Sequence, residues 1–395
     1  MKKLTVILAV LLGISGCVAE TTNQPIITTT PSNATQQPPV TTPGTVLISP
    51  ELTPVIPVKT KPTIWTIQYS PYLQSERNHL AGIWGSSSKD VFAVGSPGVL
   101  HYDGSNWAPM DTRTSYGFSS VWGTSSKDVY VAGGVNLLPS QGVVMHFDGN
   151  NWTTLTDSIP IINSIWGTSD SDIFAVGLDY HENFWETGVV THYDGKEWIR
   201  MKTDLDTKTH YISSLQSVWG SSSSDVYAVG YGGTIEHYDG KEWQPVSWSP
   251  DNLNLDAQQI TNTQFSSVWG TSPSDIYVTG STFSGLQDPL FFLLHYDGKT
   301  WTAISGINDN FLSIWGTSSS NFFIAGLMKP GHVPSKYYGV VQHFDGNTWD
   351  RQLAPNSSVA PGYSIPILGI WGVSPNDVFA VDELGDILHY SGSPQ

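Results

Sequence analysis

Apolar and polar positions alternate along this chain in a unit that recurs seven times. Its clearest copy, Ser217 to Trp243, reads S-V-W-G-S-S-S-S-D-V-Y-A-V-G-Y-G-G-T-I-E-H-Y-D-G-K-E-W. A short run, S-V-W-G, leads into a polar turn. The next run, V-Y-A-V-G, alternates and is rich in β-branched and aromatic residues, which is how a strand reads. A third run ends in H-Y or H-F. D-G then turns the chain into a fourth run that carries a Trp. D-G between apolar runs is a strong hairpin signal, because Gly takes positive φ at no steric cost.

The W-G pairs fall at Trp84, Trp122, Trp166, Trp219, Trp269, Trp315 and Trp371. Their spacing of roughly 38 to 56 residues is that of propeller blades or solenoid units. Two residues before each Trp stands a small residue: Gly82, Ser120, Ser164, Ser217, Ser267, Ser313 or Gly369. Small residues suit an innermost strand, where neighbouring units crowd together. Four antiparallel strands repeated seven times, with no helical stretches between them, predict an all-β, seven-bladed β-propeller of four-stranded blades.

The tryptophans show how the ring closes. The fourth strands carry Trp107, Trp152, Trp198, Trp243, Trp301 and Trp349, and the seventh unit has none. Trp65, in I-W-T-I-Q, precedes the first unit without strands of its own. It reads as the missing fourth strand of blade seven, with Ile64 to Gln68 pairing with Asp386 to Tyr390. Such closure removes the open edges of the sheet series. Only Trp185 and Trp248 then fall outside the frame.

Composition divides the chain into three parts. In residues 1–16, Lys2 and Lys3 precede a short apolar run that ends in I-S-G-C. The run is too short to span a bilayer permanently. It resembles a bacterial lipoprotein signal, which implies cleavage before Cys17 and lipidation of Cys17. Cys17 is the only Cys in the chain, which suits an extracytoplasmic protein without disulfides. Residues 17–62 hold the lipidated Cys and a Thr/Pro-rich stretch that cannot form a core. This stretch is expected to be a disordered tether with an average reach of roughly 40 Å. Residues 63–391 form the propeller. The expected location is therefore extracytoplasmic, at the cell surface or in the periplasm, with membrane attachment by lipid.

Charge narrows the partners. The chain has 34 acidic and 17 basic residues and a formal net charge of −17. It has no basic run, so nucleic acid is not an expected partner. Docking on anionic lipid by charge is likewise not expected. A monomer is expected.

Repetition separates scaffold from site. Seven His recur, at 101, 146, 192, 237, 295, 343 and 389, each before an aromatic residue and an acidic or polar one. They lie on seven different blades and cannot converge on one ion. Each is assigned a hydrogen bond within its own blade. No metal, cofactor or catalytic group is expected. Loop length carries the functional signal. The turns between strands a and b, and between c and d, are short and uniform. All long segments lie between b and c or between d and a, and so share one face of the ring. Binding residues commonly sit on such loops over a rigid scaffold. The candidates outside the repeat template are Tyr180, His181, Glu182, Trp185, His210, Tyr211, Trp248, Asp251, Tyr337 and Tyr338. Aromatic residues beside carboxylates stack on sugars or anchor a protein partner. Trp185, mid-loop between polar neighbours, is the leading candidate.

The unit V-W-G-S-S-x-x-D-V-Y-A-V-G … H-Y-D-G-x-x-W resembles that of secreted bacterial propellers over residues 80 to 390. It is distantly similar to Asp-box (kelch/BNR-like) propellers, a group that includes photosystem assembly factors. The resemblance implies a fold and export rather than a chemistry. Sialidases of the Asp-box group clamp a carboxylate with three Arg. This chain has four Arg in all, at 77, 113, 200 and 351, in positions that do not suggest convergence. Its turn also departs from the Asp-box, with Gly directly after Asp and the Trp one residue early.

Two functions follow. The first is a surface-tethered, non-enzymatic binding or scaffold propeller that recognises a protein or glycan through the long-loop face. The alternative is an extracellular carbohydrate-active hydrolase or lyase using carboxylates such as Glu182, Glu186 or Asp251.

Overall fold

In the computed structural model each unit folds into the four antiparallel strands its alternation predicts, and seven such sheets form the ring. The structure describes residues 58–60, 65–68, 79–96, 98–135, 141–180, 186–203, 205, 214–250, 252–283, 289–328, 339–355 and 365–392. Cys17 and nearly all of the expected tether lie outside these residues. Blade four is representative: strand a is Leu215–Ser222, b is Asp225–Gly230, c is Thr234–Tyr238 and d is Trp243–Pro245. Strand d is the outer edge, and there Pro109 and Pro245 are tolerated because no neighbour needs their missing N–H.

The W-G pair has a steric cause. A Cβ on Gly220 would lie 2.6 Å from the ring of Trp166 in the preceding blade. Gly123, Gly167, Gly270, Gly372 and Gly85 stand in the same way against Trp84, Trp122, Trp219, Trp315 and Trp371. The indole of one blade thus rests on the bare backbone of the next. Blade six departs from this: a Cβ on Gly316 would meet Phe322 of its own blade first. The small residue two before Trp gains a role beyond its size. The hydroxyls of Ser120, Ser164, Ser217 and Ser313 each accept a backbone N–H from the following blade, at 3.2–3.3 Å.

Trp65–Gln68 pairs antiparallel with Ile387–Tyr390, in the register Trp65↔Tyr390. That register repeats Tyr102↔Trp107 and Tyr238↔Trp243 in complete blades. Trp65 packs on Tyr390 with ring centroids 5.5 Å apart, as Trp107 does on Tyr102 at 5.2 Å. The N-terminal strand therefore completes blade seven.

One boundary shifts. Val58–Thr60, placed in the tether by composition, pairs in parallel with Trp349–Arg351 and gives blade six a fifth strand. The chain is thus engaged with the ring before residue 63. Three residues in a parallel pair leave no alternation for a sequence reading to detect.

The core is a series of apolar seams between adjacent blades rather than one central mass. Between blades one and two, for example, Phe92, Val94 and Val99 meet Phe118, Val129 and Met145. Such seams let a chain of this length fold as one domain, since each blade needs only its neighbours.

Candidate functional site

The two faces of the ring differ. On one, every a–b turn is two residues long, such as Ser88–Lys89 or Ser223–Ser224, and the six c–d turns are four residues each. In the c–d turns the Asp side chain does the folding. Asp239 Oδ1 accepts the N–H groups of Lys241 and Glu242 at 2.9 and 3.0 Å, and Gly240 takes a φ of 88°. These backbone donors hold the carboxyls of Asp103, Asp148, Asp194, Asp239, Asp297 and Asp345 below the usual carboxylate range.

The same face carries the recurring His. His237 Nε2 lies 2.7 Å from Asp225 Oδ1, and Ser221 donates to Asp225 Oδ2 at 2.5 Å. All seven His make this contact, with Asn321 replacing Asp in blade six. A hydroxyl, a carboxylate and an imidazole suggest acyl-transfer chemistry, but the order is wrong for it. The hydroxyl bonds the carboxylate rather than the imidazole, so no base reaches a nucleophile. Each imidazole also stacks on a strand-b aromatic, as His237 does on Tyr227 at 4.3 Å. In blades one to five each of these Asp joins a strand-a hydroxyl to the strand-c His, whereas blade seven has Val373 at the hydroxyl position. Among the described residues no group of three His, Cys, Asp or Glu is placed to hold a metal ion.

The opposite face carries every long connection. Several are not loops throughout, because the strands run on past the template. In blade three, b continues to Tyr180 and c starts at Glu186, so Leu178–Tyr180 pairs with Glu186–Gly188. This hairpin extension sets Tyr180 directly across from Glu186. Asp179, beside it, is bridged by Arg200 at 3.0 Å. From blade four, Tyr231 joins the group. Its backbone is fixed by an N–H bond to Ser214 O at 2.9 Å and a bridge to Gln264. Burial, followed by the Glu186 carboxylate, pushes the Tyr180 phenol up to about 12 and raises Tyr231 as well. All three residues are half-buried.

The other sequence candidates divide in two. Trp248 is not a surface group. It is 6% exposed, packs on Phe265 and Phe292, and donates its indole N–H to Gly233 O at 2.6 Å. Its loop forms a plug between blades four and five. Asn252 Nδ2 donates to Ala303 O at 2.7 Å, and the short helix Ala257–Thr261 is closed by a reciprocal Asp256–Gln259 cap. Trp248 is therefore a packing residue, corrected from a binding candidate; an apolar ring in a long loop gains more by entering a seam than by facing water. His181, Glu182, Trp185, His210, Tyr211, Asp251, Tyr337 and Tyr338 lie outside the described residues.

One departure from the repeat escaped the sequence reading. Six blades carry Gly as the last residue of the V-Y-A-V-G template, and blade seven has Asp382 there. Asp382 Oδ1 accepts the N–H groups of Leu384 and Asp386, each at 2.9 Å, and so closes the Asp382–Asp386 turn. Burial, with the Asp386 charge second, pushes the Asp382 carboxyl up to about 7. With exposures of 5% and 2%, Asp382 and Asp386 are out of reach of a substrate. The signal was in the sequence: an acid at a template Gly.

No family model and no curated protein matches the chain. Solved structures do. YCF48 bound to a D1 peptide is similar with a TM-score of 0.55 and 15% identity, over 86% of this chain and 100% of that one. A GH74 xyloglucanase from Xanthomonas campestris gives a TM-score of 0.57 and 11% identity, over 82% of this chain and 53% of that one. The extracellular domain of a B. thetaiotaomicron protein described as a one-component system gives 0.57 and 10%, over 84% and 41%. At these identities the likeness is one of fold: all share the β-propeller.

Proposed function

We propose that this chain is a surface-tethered, non-enzymatic binding propeller that recognises a protein or glycan through its long-loop face, acts as a monomer, and is held at the membrane by lipid on Cys17. The observation that carries this reading is the difference between the two faces. On the plain face the polar groups of the repeat are consumed within each blade. Where the blades differ, on the other face, half-buried aromatic and acidic side chains come from neighbouring blades. A rigid ring below variable loops is a binding architecture. The fold is also one on which a similar protein has been solved with a peptide bound.

The alternative, hydrolysis of carbohydrate, requires two carboxylates about 5–10 Å apart across a cleft. The buried Asp382–Asp386 pair does not meet that need, and the acid nearest Glu186 along its hairpin, Asp179, is bridged by Arg200.

The test is binding of the full-length protein, in detergent micelles, to arrays of glycans, cell-wall polysaccharides and envelope-protein peptides, with Trp185→Ala beside it. Binding lost in the variant places recognition on the long-loop face. Binding that survives Trp185→Ala but is abolished by substitutions in the plain-face c–d turns would overturn the reading.

A further inference from the structure

Glu186 is the charged centre of the cluster on blades three and four, and among the described residues no basic side chain pairs with it. Its near neighbour Asp179 shows what compensation looks like here, with Arg200 at 3.0 Å. The groups beside Glu186 are phenols: Tyr180 across the hairpin and Tyr231 from the next blade. Both phenols stay protonated at any physiological pH, because burial and the Glu186 charge oppose their ionisation. The cluster therefore sets one carboxylate among two neutral phenols.

The supports of the cluster are rigid. Tyr180 and Glu186 are paired strand residues. Tyr231 is held on both sides by Ser214 and Gln264. Ser214 is itself tied down, since its hydroxyl accepts from Asn163 at 3.1 Å and from Gln216 at 2.9 Å. A ligand meeting this site need not order it first, so less of the binding free energy is lost to ordering.

We propose that Tyr180, Glu186 and Tyr231 form a subsite for the ammonium or guanidinium group of a basic side chain on a protein partner. The proposal rests on the binding reading and specifies its partner. A neutral sugar covering the site would leave the Glu186 charge desolvated and unpaired, which costs free energy. An anion would be repelled. A basic side chain gains a charge-assisted hydrogen bond to the carboxylate. The excess of acidic residues over the whole chain, net −17, adds long-range attraction for such a partner.

The experiment is calorimetric titration of the full-length protein in detergent micelles with a trilysine peptide and with its Nε-acetylated form, at low salt. Two variants run alongside. Glu186→Gln removes the proposed charge. Glu197→Gln removes the same charge from an exposed c–d turn on the plain face. We expect trilysine to bind, the acetylated peptide to bind at least tenfold more weakly, Glu186→Gln to weaken trilysine at least tenfold, and Glu197→Gln to leave it unchanged. Equal effects of the two variants would reduce the result to the general acidic field and overturn the subsite. So would equal binding of both peptides, or no binding of trilysine. A glycan or peptide that binds the long-loop face and ignores Glu186→Gln would sink the subsite and leave the wider reading intact. Loss of the wider reading would show instead as no ligand on that face at all.

Discussion

Trp65 gives the sharpest prediction, because one side chain joins the first strand of the chain to its last. Replacing it with Ala removes an indole that is only 4% exposed. A buried Trp hides about 150–250 Å², worth about 4–6 kcal/mol at 25 cal/mol per Å² as an upper bound. Truncating a buried aromatic residue commonly costs about 3–5 kcal/mol. A hydrogen bond is lost as well. Trp65 Nε1 donates to Gln352 Oε1 at 2.6 Å, and Gln352 is itself 1% exposed. Stranding that amide oxygen adds about 1–3 kcal/mol. The expected loss for Trp65→Ala is about 4–6 kcal/mol, or roughly 6–9 °C in melting temperature for a domain of this size.

Trp65→Phe separates the two contributions. It keeps a ring on Tyr390 and strands only Gln352, so about 1–3 kcal/mol is expected. Trp301→Phe is the control. Its indole N–H is buried without a partner, and removing it should cost nothing beyond the change in ring size. The pattern behind this contrast runs round the ring. Each strand-d indole approaches the residue three beyond the Trp of the preceding blade. Gln352, Gln68 and Met201 offer acceptors to Trp65, Trp107 and Trp243. Leu155, Val246 and Ile304 stand at the corresponding places before Trp198, Trp301 and Trp349, whose N–H groups have no partner; nor has that of Trp152, which has Met110 there. Both seams of the closing strand are thus bonded through Gln. Urea unfolding of residues 52–395, wild type and variants, followed by Trp fluorescence and circular dichroism, measures the differences. Trp65→Ala within 1 kcal/mol of wild type would refute the closure argument. Equal losses for Trp65→Phe and Trp301→Phe would refute the seam argument.

Three further outcomes are expected. Asp382→Asn should stabilise the protein at pH 7–8: the native carboxyl titrates near 7 against an ordinary 3.8, so the folded form is favoured below 3.8 and that advantage is lost as pH rises through 7. The gain should be on the order of 2–4 kcal/mol and vanish by pH 4, as measured by urea midpoints across that range. Gly220→Ala should cost about 1–3 kcal/mol, because its Cβ would press on Trp166 from 2.6 Å. Asp225→Ala should cost about 1–3 kcal/mol by leaving His237 and Ser221 without their shared acceptor, while Asn321→Ala in blade six should cost less, since Thr317 there bonds a backbone oxygen instead.

The frame was legible and most of the site was not, for identifiable reasons. Seven copies of one pattern average out the local ambiguity of any one strand, so strand order, turn type and the role of Trp65 could all be read. The His were read correctly as structural because a residue in every blade cannot mark one place. Trp248 was misread because a loop residue outside the template looks the same whether it faces water or enters a seam. Tyr231 was missed because it follows the template Gly in a short turn and looks like part of the repeat. Asp382 was missed because its turn is as short as those of the template.

The sequence by itself determined the repeat, the strand count, the closure and the face on which variation accumulates. These depend on period and turn chemistry, which are local properties written into neighbouring residues. The tertiary structure alone decided which side chains from different blades meet. Tyr231 enters the field of Glu186, Trp65 reaches Gln352 and Trp248 reaches Phe265 across blade boundaries. No periodicity encodes such meetings, because they depend on the rotation between blades and on the path of each long connection. A site assembled from two blades exists only once the ring has closed.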